Sequence, residues 1–202
     1  MVSKKIICAD ALLWLQENKA ASIITSPPDA SEISMGLDEW AVWFNGACQL
    51  CFKSSGGPVV LYVTDRKHDK QTHSKPSIIF DAATKAGAKL IWHKIALRRG
   101  VGKTDIHRPG FSHLLAFNGA PKVATPDVFN RGDTLYANGT GLVAARVAVE
   151  WVLGQAEGVV DPFCGQGTIP AVAQAMGLAA IGVDIDRTQC EKAELCNLVM
   201  KG

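Results

Sequence analysis

The sequence lacks the features that would place it outside the ordinary globular proteins. No apolar run reaches the roughly 18 positions that a membrane-spanning helix needs. The net charge is only +2, too small to indicate a nucleic-acid partner by itself. The first residues, Met-Val-Ser-Lys-Lys, lack the apolar segment of a secretory signal, so we expect a cytoplasmic protein. A content of 48% hydrophobic and 20% charged residues favours one folded domain, residues 1–202.

Cysteine is present, but its spacing does not indicate disulfides or a metal. Cys48 and Cys51 form a C-x-x-C pair. A zinc site usually needs a second pair or histidines at matching spacing, and none is near in the sequence. We therefore expect six free thiols, ordinary helix cysteines at positions 48 and 51, and no metal site.

The most informative stretch is Val-Val-Asp-Pro-Phe-Cys-Gly-Gln-Gly-Thr, at residues 159–168. Two β-branched residues predict a buried strand, two glycines predict a tight turn, and Thr168 begins an apolar helix. A helix N-terminus behind such a turn presents backbone N–H groups to a polar or anionic ligand. The next predicted strand ends at Asp184, and a carboxylate at that position suits both hydroxyls of a ribose.

A second stretch, Thr25-Ser-Pro-Pro28, directly follows a predicted strand at residues 22–25. Its two prolines remove two backbone donors and stiffen the turn. The Ser26 hydroxyl and the Pro27 carbonyl could then act as fixed acceptors for the two hydrogens of an exocyclic amine. Asp10 ends another predicted strand, where it can cap the next helix, accept from an adenine amino group, or do both.

These motifs resemble those of the S-adenosylmethionine-dependent methyltransferases that act on amino groups of DNA bases. Residues 159–168 resemble motif I, and the strand ending at Asp184 resembles motif II. Residues 25–28 resemble motif IV, in a form often seen in cytosine-N4 enzymes and shared by adenine-N6 enzymes. Residues 138–141 resemble the loose motif X. The resemblance implies S-adenosylmethionine as cofactor and a catalytic corner of Ser26, Pro27, Pro28 and Asp29. It also implies these cofactor-binding residues: Asp10, Thr25, Thr140, Asp161, Pro162, Phe163, Gly165, Gly167, Thr168 and Asp184.

The chain departs from motif IV at Asp29, where the family has an aromatic residue that stacks on the flipped base. A carboxylate can accept the adjacent N1–H and N2–H donors of guanine together. Asp29 therefore favours, as an alternative, methylation of guanine N2 in RNA. Trp40, Trp43 and Phe44 lie at helical spacing and are interpreted as core, with Trp40 as the one candidate for base stacking.

The order of elements predicts a doubly wound, Rossmann-like α/β sheet. Strands 89–97 and 112–117 have no helix between them, so we expect them to pair as an antiparallel hairpin in a mostly parallel sheet. Motif IV precedes motif I, which resembles the β group of DNA amino-methyltransferases and implies a circularly permuted sheet. Seven strands are predicted, at residues 4–8, 22–25, 59–64, 89–97, 112–117, 159–162 and 180–184.

A loop at residues 98–110 concentrates positive charge. Its basic residues are Arg98, Arg99, Lys103 and Arg108, against the single acid Asp105. It could contact nucleic-acid phosphates, or it could be a solvated surface loop. Only this loop and residues 119–138 could read a target sequence, and both are short for a specific duplex interface. We therefore expect low specificity, a homodimer, a separate recognition subunit or an RNA substrate.

Three hypotheses follow. The first is a methyltransferase acting on a base amino group, in DNA rather than RNA. The second is a methyltransferase-like subunit that has lost activity and binds nucleic acid. The third, a methyltransferase for small molecules or proteins, leaves the Ser-Pro-Pro corner and the basic loop without a purpose.

Overall fold

The main sheet combines parallel strands with one reversed strand. The computed structural model describes residues 2–103, 108–121 and 125–198. The strands are β1 (Lys4–Cys8), β2 (Ile23–Thr25), β3 (Val59–Val63), β4 (Arg66–His68), β5 (Gln71–His73), β6 (Leu90–Leu97), β7 (Phe111–Phe117), β8 (Val128–Asn130), β9 (Gly158–Asp161) and β10 (Ala179–Asp184). Eight of them form one sheet in the order β1-β10-β9-β2-β3-β7-β6-β8. Only β7 runs antiparallel to its neighbours, β3 and β6.

The predicted α/β sheet and its antiparallel hairpin are confirmed, but the count of seven strands is wrong. Every predicted strand lies within one residue of its observed bounds. The missed strand is β8, which pairs with the end of β6. It spans three residues, and a tertiary contact holds it: Lys94, 1% exposed, donates from Nζ to the Thr125 carbonyl at 2.8 Å and to Asp127 Oδ1 at 2.9 Å. A local pattern does not show such a contact.

The charged segment after β3 is not an irregular loop. Strands β4 and β5 form a separate two-stranded hairpin. Asp69 and Lys70 at its tip have φ values of 47° and 61°. Two positive φ values in a row are typical of a tight hairpin turn. The sequence hid this turn because neither residue is glycine or asparagine.

Helices cover both faces of the main sheet. They are α1 (Ala11–Glu17), α2 (Leu37–Ser54), α3 (Lys75–Ala86), α4 (Leu142–Val152), α5 (Thr168–Ala175) and α6 (Arg187–Leu195). Neighbouring strand residues point to opposite faces, so Ile23 packs with α1, α2 and α3 while Ile24 packs with α4 and α5. Burial on both faces explains the continuous apolar strands of the sequence.

The helix ends follow local chemistry. Asp10 caps α1 by accepting from the backbone N–H groups of Leu12 and Leu13, and Gly87 ends α3 at a φ of 69°. The last helix, α6, ends at Leu195, and residues 199–202 lie outside the described residues. Cys48 and Cys51 are buried in α2, and all six cysteines are free thiols. Over the described ranges, no helix is long and apolar enough to cross a membrane.

Candidate active site at the carboxyl ends of the strands

The two motif-bearing stretches meet at neighbouring strand tips. Strands β2 and β9 lie side by side in the sheet, with Ile23 opposite Val160. At their carboxyl ends, Thr25 Oγ1 donates to Asp161 Oδ1 at 2.6 Å, across 136 positions of sequence. The diproline corner and the glycine turn are thus joined directly. Ligands of open α/β sheets bind at this edge of the sheet.

The diproline corner is held from below by α2. Trp40 is 1% exposed, and its Nε1 donates to the Pro28 carbonyl at 3.0 Å. Pro27 is buried, whereas Ser26 is half-buried. Trp40 was the predicted candidate for base stacking, but its ring lies in the core. This hydrogen bond fixes the corner instead.

The glycine turn requires its glycines. Gly165 and Gly167 have φ values of 52° and 83°, which side chains rarely adopt. A Cβ at Gly167 would also lie 2.8 Å from the Ala193 Cβ, so the turn packs tightly against α6. The backbone N–H of Gly165 donates to Asp184 Oδ2 at 2.8 Å. That bond ties the motif I turn to the tip of β10.

A cavity of about 760 Å³ opens between the two corners. Its size is ordinary for a site that holds a small-molecule ligand. Three predicted residues do not line it: Thr25 is 1% exposed, Pro27 is buried, and Gly167 lies in the turn against α6. The predicted residues that line it are Asp10, Ser26, Pro28, Thr140, Asp161, Pro162, Phe163, Gly165, Thr168 and Asp184.

The Asp161 carboxyl in the cavity wall is a weaker acid than an ordinary aspartic acid. Asp161 is 3% exposed, and burial raises its pKa to about 7. Its Oδ1 also accepts from the Phe163 backbone N–H at 3.2 Å. Asp184 is less buried and its Oδ1 accepts from the Asp186 N–H at 2.9 Å. The two carboxyls leave room in their coordination for ligand hydroxyl or amino groups, since each oxygen can accept two hydrogen bonds.

Asp29 faces two cations. Its carboxylate pairs with Arg66 of β4 and, at 2.9 Å, with Lys75 Nζ at the start of α3. Burial alone would raise its pKa, but Lys75 and Arg66 outweigh that effect and lower the pKa to about 2. Both carboxylate oxygens are engaged in these pairs. The Asp29 side chain therefore braces the loop after the prolines against β4 and α3.

The cavity residues that the sequence analysis does not identify include Trp43, Tyr136 and Gln189. Trp43 had been assigned to the core with the rest of its stripe. Tyr136 sits above the glycine turn, where a Cβ at Gly165 would come within 2.9 Å of its hydroxyl. Burial raises the pKa of Tyr136 to about 12, which keeps the phenol protonated. Tyr136 is one of only two tyrosines, but nothing in its neighbouring sequence marks it.

The predicted nucleic-acid loop reaches the rim of this cavity. Arg108 Nη1 donates to Asn138 Oδ1 at 3.0 Å, and Asn138 lines the cavity. Across the loop, the backbone N–H groups of Arg98 and Arg99 donate to the Gly110 carbonyl. Residues 104–107, with Asp105, lie outside the described residues, as do residues 122–124 of the second candidate loop. Of the described basic residues, Arg108 is the one whose contact places it at the mouth of the site.

Comparison with known proteins was informative only at the level of structure. No family model and no curated protein sequence matches the chain. Among solved structures, TTHA0409 of Thermus thermophilus, a candidate DNA modification methylase, has a TM-score of 0.75 at 18% identity, over 96% of this chain and 94% of that one. The chain has a DNA methyltransferase fold.

Two further solved structures share this fold. The M1.HpyAVI complex with S-adenosylmethionine has a TM-score of 0.64 at 16% identity, covering 95% of this chain and 98% of that chain. The cytosine-N4-specific PvuII DNA methyltransferase has a TM-score of 0.72 at 15% identity, covering 96% and 86%. The DNA methyltransferase fold thus extends over nearly the whole chain, at identities that establish the fold alone.

Proposed function

We propose that this protein is an S-adenosylmethionine-dependent methyltransferase that modifies an exocyclic amino group of a nucleic-acid base. The single observation that carries the proposal is the convergence of two corners on one cavity. Ser26 and Pro28 line one side of it, and Asp161, Gly165 and Asp184 line the other. A methyl donor and an amino acceptor need this arrangement, because the two must meet in line.

The residues present fit the proposed cofactor. One side-chain oxygen in the cavity wall, Gln189 Oε1, is shielded from solvent and has no hydrogen-bond partner in the described parts of the chain, and Thr168 Oγ1 lies near only the Tyr136 hydroxyl. A polar ligand would satisfy the Gln189 oxygen. Gly165 and Gly167 keep the turn in front of α5 free of side chains, and Asp184 and Asp10 lie at the tips of β10 and β1. S-adenosylmethionine has a carboxylate, a ribose diol and an adenine amino group that match these positions.

The chain's own contribution to the chemistry would be to orient the acceptor. Bound S-adenosylmethionine would supply an electrophilic methyl group. The Ser26 hydroxyl and the Pro27 carbonyl would accept the two amino hydrogens, so the nitrogen lone pair faces the methyl group. The hydrogen bond from Trp40 to Pro28 stiffens this corner.

For the target we propose DNA before RNA, with cytosine N4 or adenine N6 as the modified atom. The DNA methyltransferase fold and the basic loop at the cavity mouth support this choice. The guanine alternative rested on a free Asp29 carboxylate, and the ion pairs with Arg66 and Lys75 occupy both of its oxygens. The short loops at the mouth favour a second copy or a separate subunit for sequence recognition.

The test is nucleoside mass spectrometry. The purified protein is incubated with S-adenosylmethionine carrying a deuterated methyl group and with unmethylated DNA or RNA. We expect the label on N4-methylcytosine or N6-methyladenine from DNA. Ser26→Ala should reduce the rate by at least about 10-fold, because one acceptor is lost. Ser31→Ala is the matched control, since Ser31 is exposed in the same loop and should keep full activity.

Calorimetry with S-adenosylmethionine separates this proposal from the inactive-subunit alternative. Asp29 in place of an aromatic residue is the observation that favours that alternative. Cofactor binding without transfer to any base would support an inactive nucleic-acid-binding subunit. Absence of cofactor binding would contradict the proposal and would support the inactive subunit, which does not need the cofactor. Label on a protein or a small molecule alone would contradict the proposed substrate class.

A further inference from the structure

We propose that Trp43 supplies the aromatic face on which the target base stacks. This inference deepens the function proposed above and depends on it for the identity of the substrate. Enzymes that modify a base extrude it from the helix and hold it against aromatic or apolar side chains. Such stacking is worth about 1–3 kcal/mol per base, so a base-modifying site needs a ring near its acceptor corner.

Position 29, next to the prolines, does not provide that ring. Its carboxylate is held by Lys75, which is 7% exposed, and by Arg66. The Lys75 ammonium in turn lies over the Trp40 ring, 5.3 Å from its centroid. Trp40 is itself buried, so neither Asp29 nor Trp40 can present an aromatic face to a ligand. The stacking surface must come from another element.

Three aromatic residues among the described ones line the cavity: Trp43, Tyr136 and Phe163. Tyr136 covers Gly165, and Phe163 belongs to the glycine turn itself. Both therefore lie on the half of the cavity assigned to the cofactor. Trp43 comes from α2, the helix that anchors the diproline corner. Of the three rings, it is the one carried by the helix that bonds Pro28 through Trp40.

The structure fixes the position of Trp43 without burying it. On the same helix, Trp40 is bonded to Pro28 and Phe44 is fully buried, so α2 cannot turn about its axis. Trp43 is half-buried, and its ring meets Phe163 almost edge-on, with centroids 5.9 Å apart and planes at 67°. A preset ring of this kind loses little conformational entropy when a ligand stacks on it.

Replacement of Trp43 tests this role. Trp43→Leu should lower kcat/KM for methyl transfer to DNA by roughly 10- to 100-fold, in line with the loss of one stacked base. Trp43→Phe should keep most of the activity, because a ring remains. Affinity for S-adenosylmethionine, measured by calorimetry, should be unchanged in both variants. Trp14→Leu is the matched control, since Trp14 is half-buried on α1 and outside the cavity lining.

A binding measurement keeps the inference testable apart from catalysis. Single-stranded oligo(dC) and oligo(dA) are titrated into the protein with S-adenosylhomocysteine present, and tryptophan fluorescence is followed. Stacking should quench the part of the fluorescence emission that comes from Trp43. This quenching should therefore be lost in Trp43→Phe and kept in Trp14→Phe.

The outcomes separate the two proposals. Equal quenching in Trp43→Phe and wild type, or full activity in Trp43→Leu, would overturn the stacking role and leave the proposed function standing. Loss of cofactor affinity in Trp43→Leu would also overturn it, since Trp43 would then serve the cofactor half. A wild-type protein that shows Trp43-dependent quenching but transfers no methyl group would support the stacking role and contradict the proposed function.

Discussion

At the scale of single residues, Asp161 joins the glycine turn to the diproline corner through its bond with Thr25, and its burial disfavours the charged carboxylate. It is 3% exposed, and burial raises its pKa to about 7 from the ordinary 3.8. A carboxyl whose pKa is higher in the folded state stabilises the fold fully below its unfolded pKa. That contribution is lost as the pH rises through the folded value. The relevant window for Asp161 is therefore between about pH 4 and pH 7.

Asp161→Asn should remove this pH dependence. The amide oxygen can still accept from Thr25 Oγ1 and the Phe163 N–H, but the side chain cannot ionise. Relative to the wild type, the variant should gain stability as the pH rises from about 4 to about 8, by an amount on the order of a few kcal/mol. Urea unfolding at several pH values measures it. A difference between variant and wild type that does not change with pH would contradict the assignment.

The pKa of Asp29 is shifted in the opposite direction from that of Asp161. Its pKa is lowered to about 2, and it neutralises Lys75, which is nearly inaccessible to solvent. Because 22% of the Asp29 side chain is exposed to solvent, breaking this pair costs less free energy than breaking a fully buried one. Its contribution to stability is present above about pH 4 and is lost as the pH falls toward about 2.

Asp29→Asn should therefore destabilise the protein at about pH 7, by about 1–3 kcal/mol, since it leaves a buried ammonium without its partner. The matched control is Asp81→Asn, which breaks the solvent-exposed pair with Lys85 and should have no measurable effect. Equal midpoints for the two variants in urea unfolding at neutral pH would show that Asp29 is not a structural anchor.

At the scale of elements, α2 positions the acceptor corner. The helix is 18 residues long, packs its aromatic stripe under β2 and β3, and bonds Pro28 through Trp40. The helix, rather than the prolines alone, sets where Ser26 lies. The prolines restrict the backbone dihedrals of the corner, but its place against the sheet depends on packing.

Trp40→Phe should test that dependence. The variant retains an aromatic ring in the core but loses the hydrogen bond to the Pro28 carbonyl. Methyl transfer should fall several-fold, and the free energy of unfolding should fall by about 1–2 kcal/mol. Trp92→Phe is a fitting control, because the Trp92 Nε1 is buried and has no hydrogen-bond partner in the ranges the structure describes. If both variants retained equal activity, the Trp40 hydrogen bond would have no role in positioning.

Elements with strong local patterns could be predicted from the sequence, and those held by distant contacts could not. The glycine turn, the diproline corner and the seven predicted strands are encoded by β-branched runs, glycines and prolines over a few residues. Strand β8 depends on Lys94, which lies 31 positions before the carbonyl that it bonds. The engagement of Asp29 depends on Arg66 and Lys75, which come from later elements. No local pattern reports such pairings.

The site shows the same division. Ser26, Asp161 and Asp184 were predictable because a motif surrounds each of them. Trp43 and Tyr136 line the same cavity, but Trp43 belongs to a stripe that is otherwise core, and Tyr136 lies in a segment without periodicity. Which member of an aromatic stripe faces a cavity is decided by the neighbouring helix and strand. The circular permutation of the sheet stays a prediction.

At the scale of the whole molecule, charge and size limit how the protein could hold nucleic acid. The net charge is +2, so attraction to phosphates must come from the local cluster at the cavity mouth. Of the described basic residues in that cluster, Arg108 reaches the cavity rim through its bond to Asn138. Each phosphate that such a side chain neutralises steepens the salt dependence of DNA binding by about 0.9.

Arg98→Ala with Arg99→Ala should therefore weaken DNA binding and reduce the slope of log K against log salt by about 2. Lys19→Ala with Lys53→Ala is the control pair, because those lysines are exposed where α1 and α2 end, at the opposite edge of the sheet. Affinity is measured by fluorescence anisotropy across a salt series. Identical slopes for both pairs would assign the basic loop to the solvated surface.

A crystal structure of the protein soaked with S-adenosylmethionine would show whether the two corners share one ligand in one cavity. We expect the cofactor between the glycine turn and the tip of β10, with its methyl group in contact with the Ser26 corner. Binding elsewhere, or a methyl group that faces away from Ser26, would contradict this expectation.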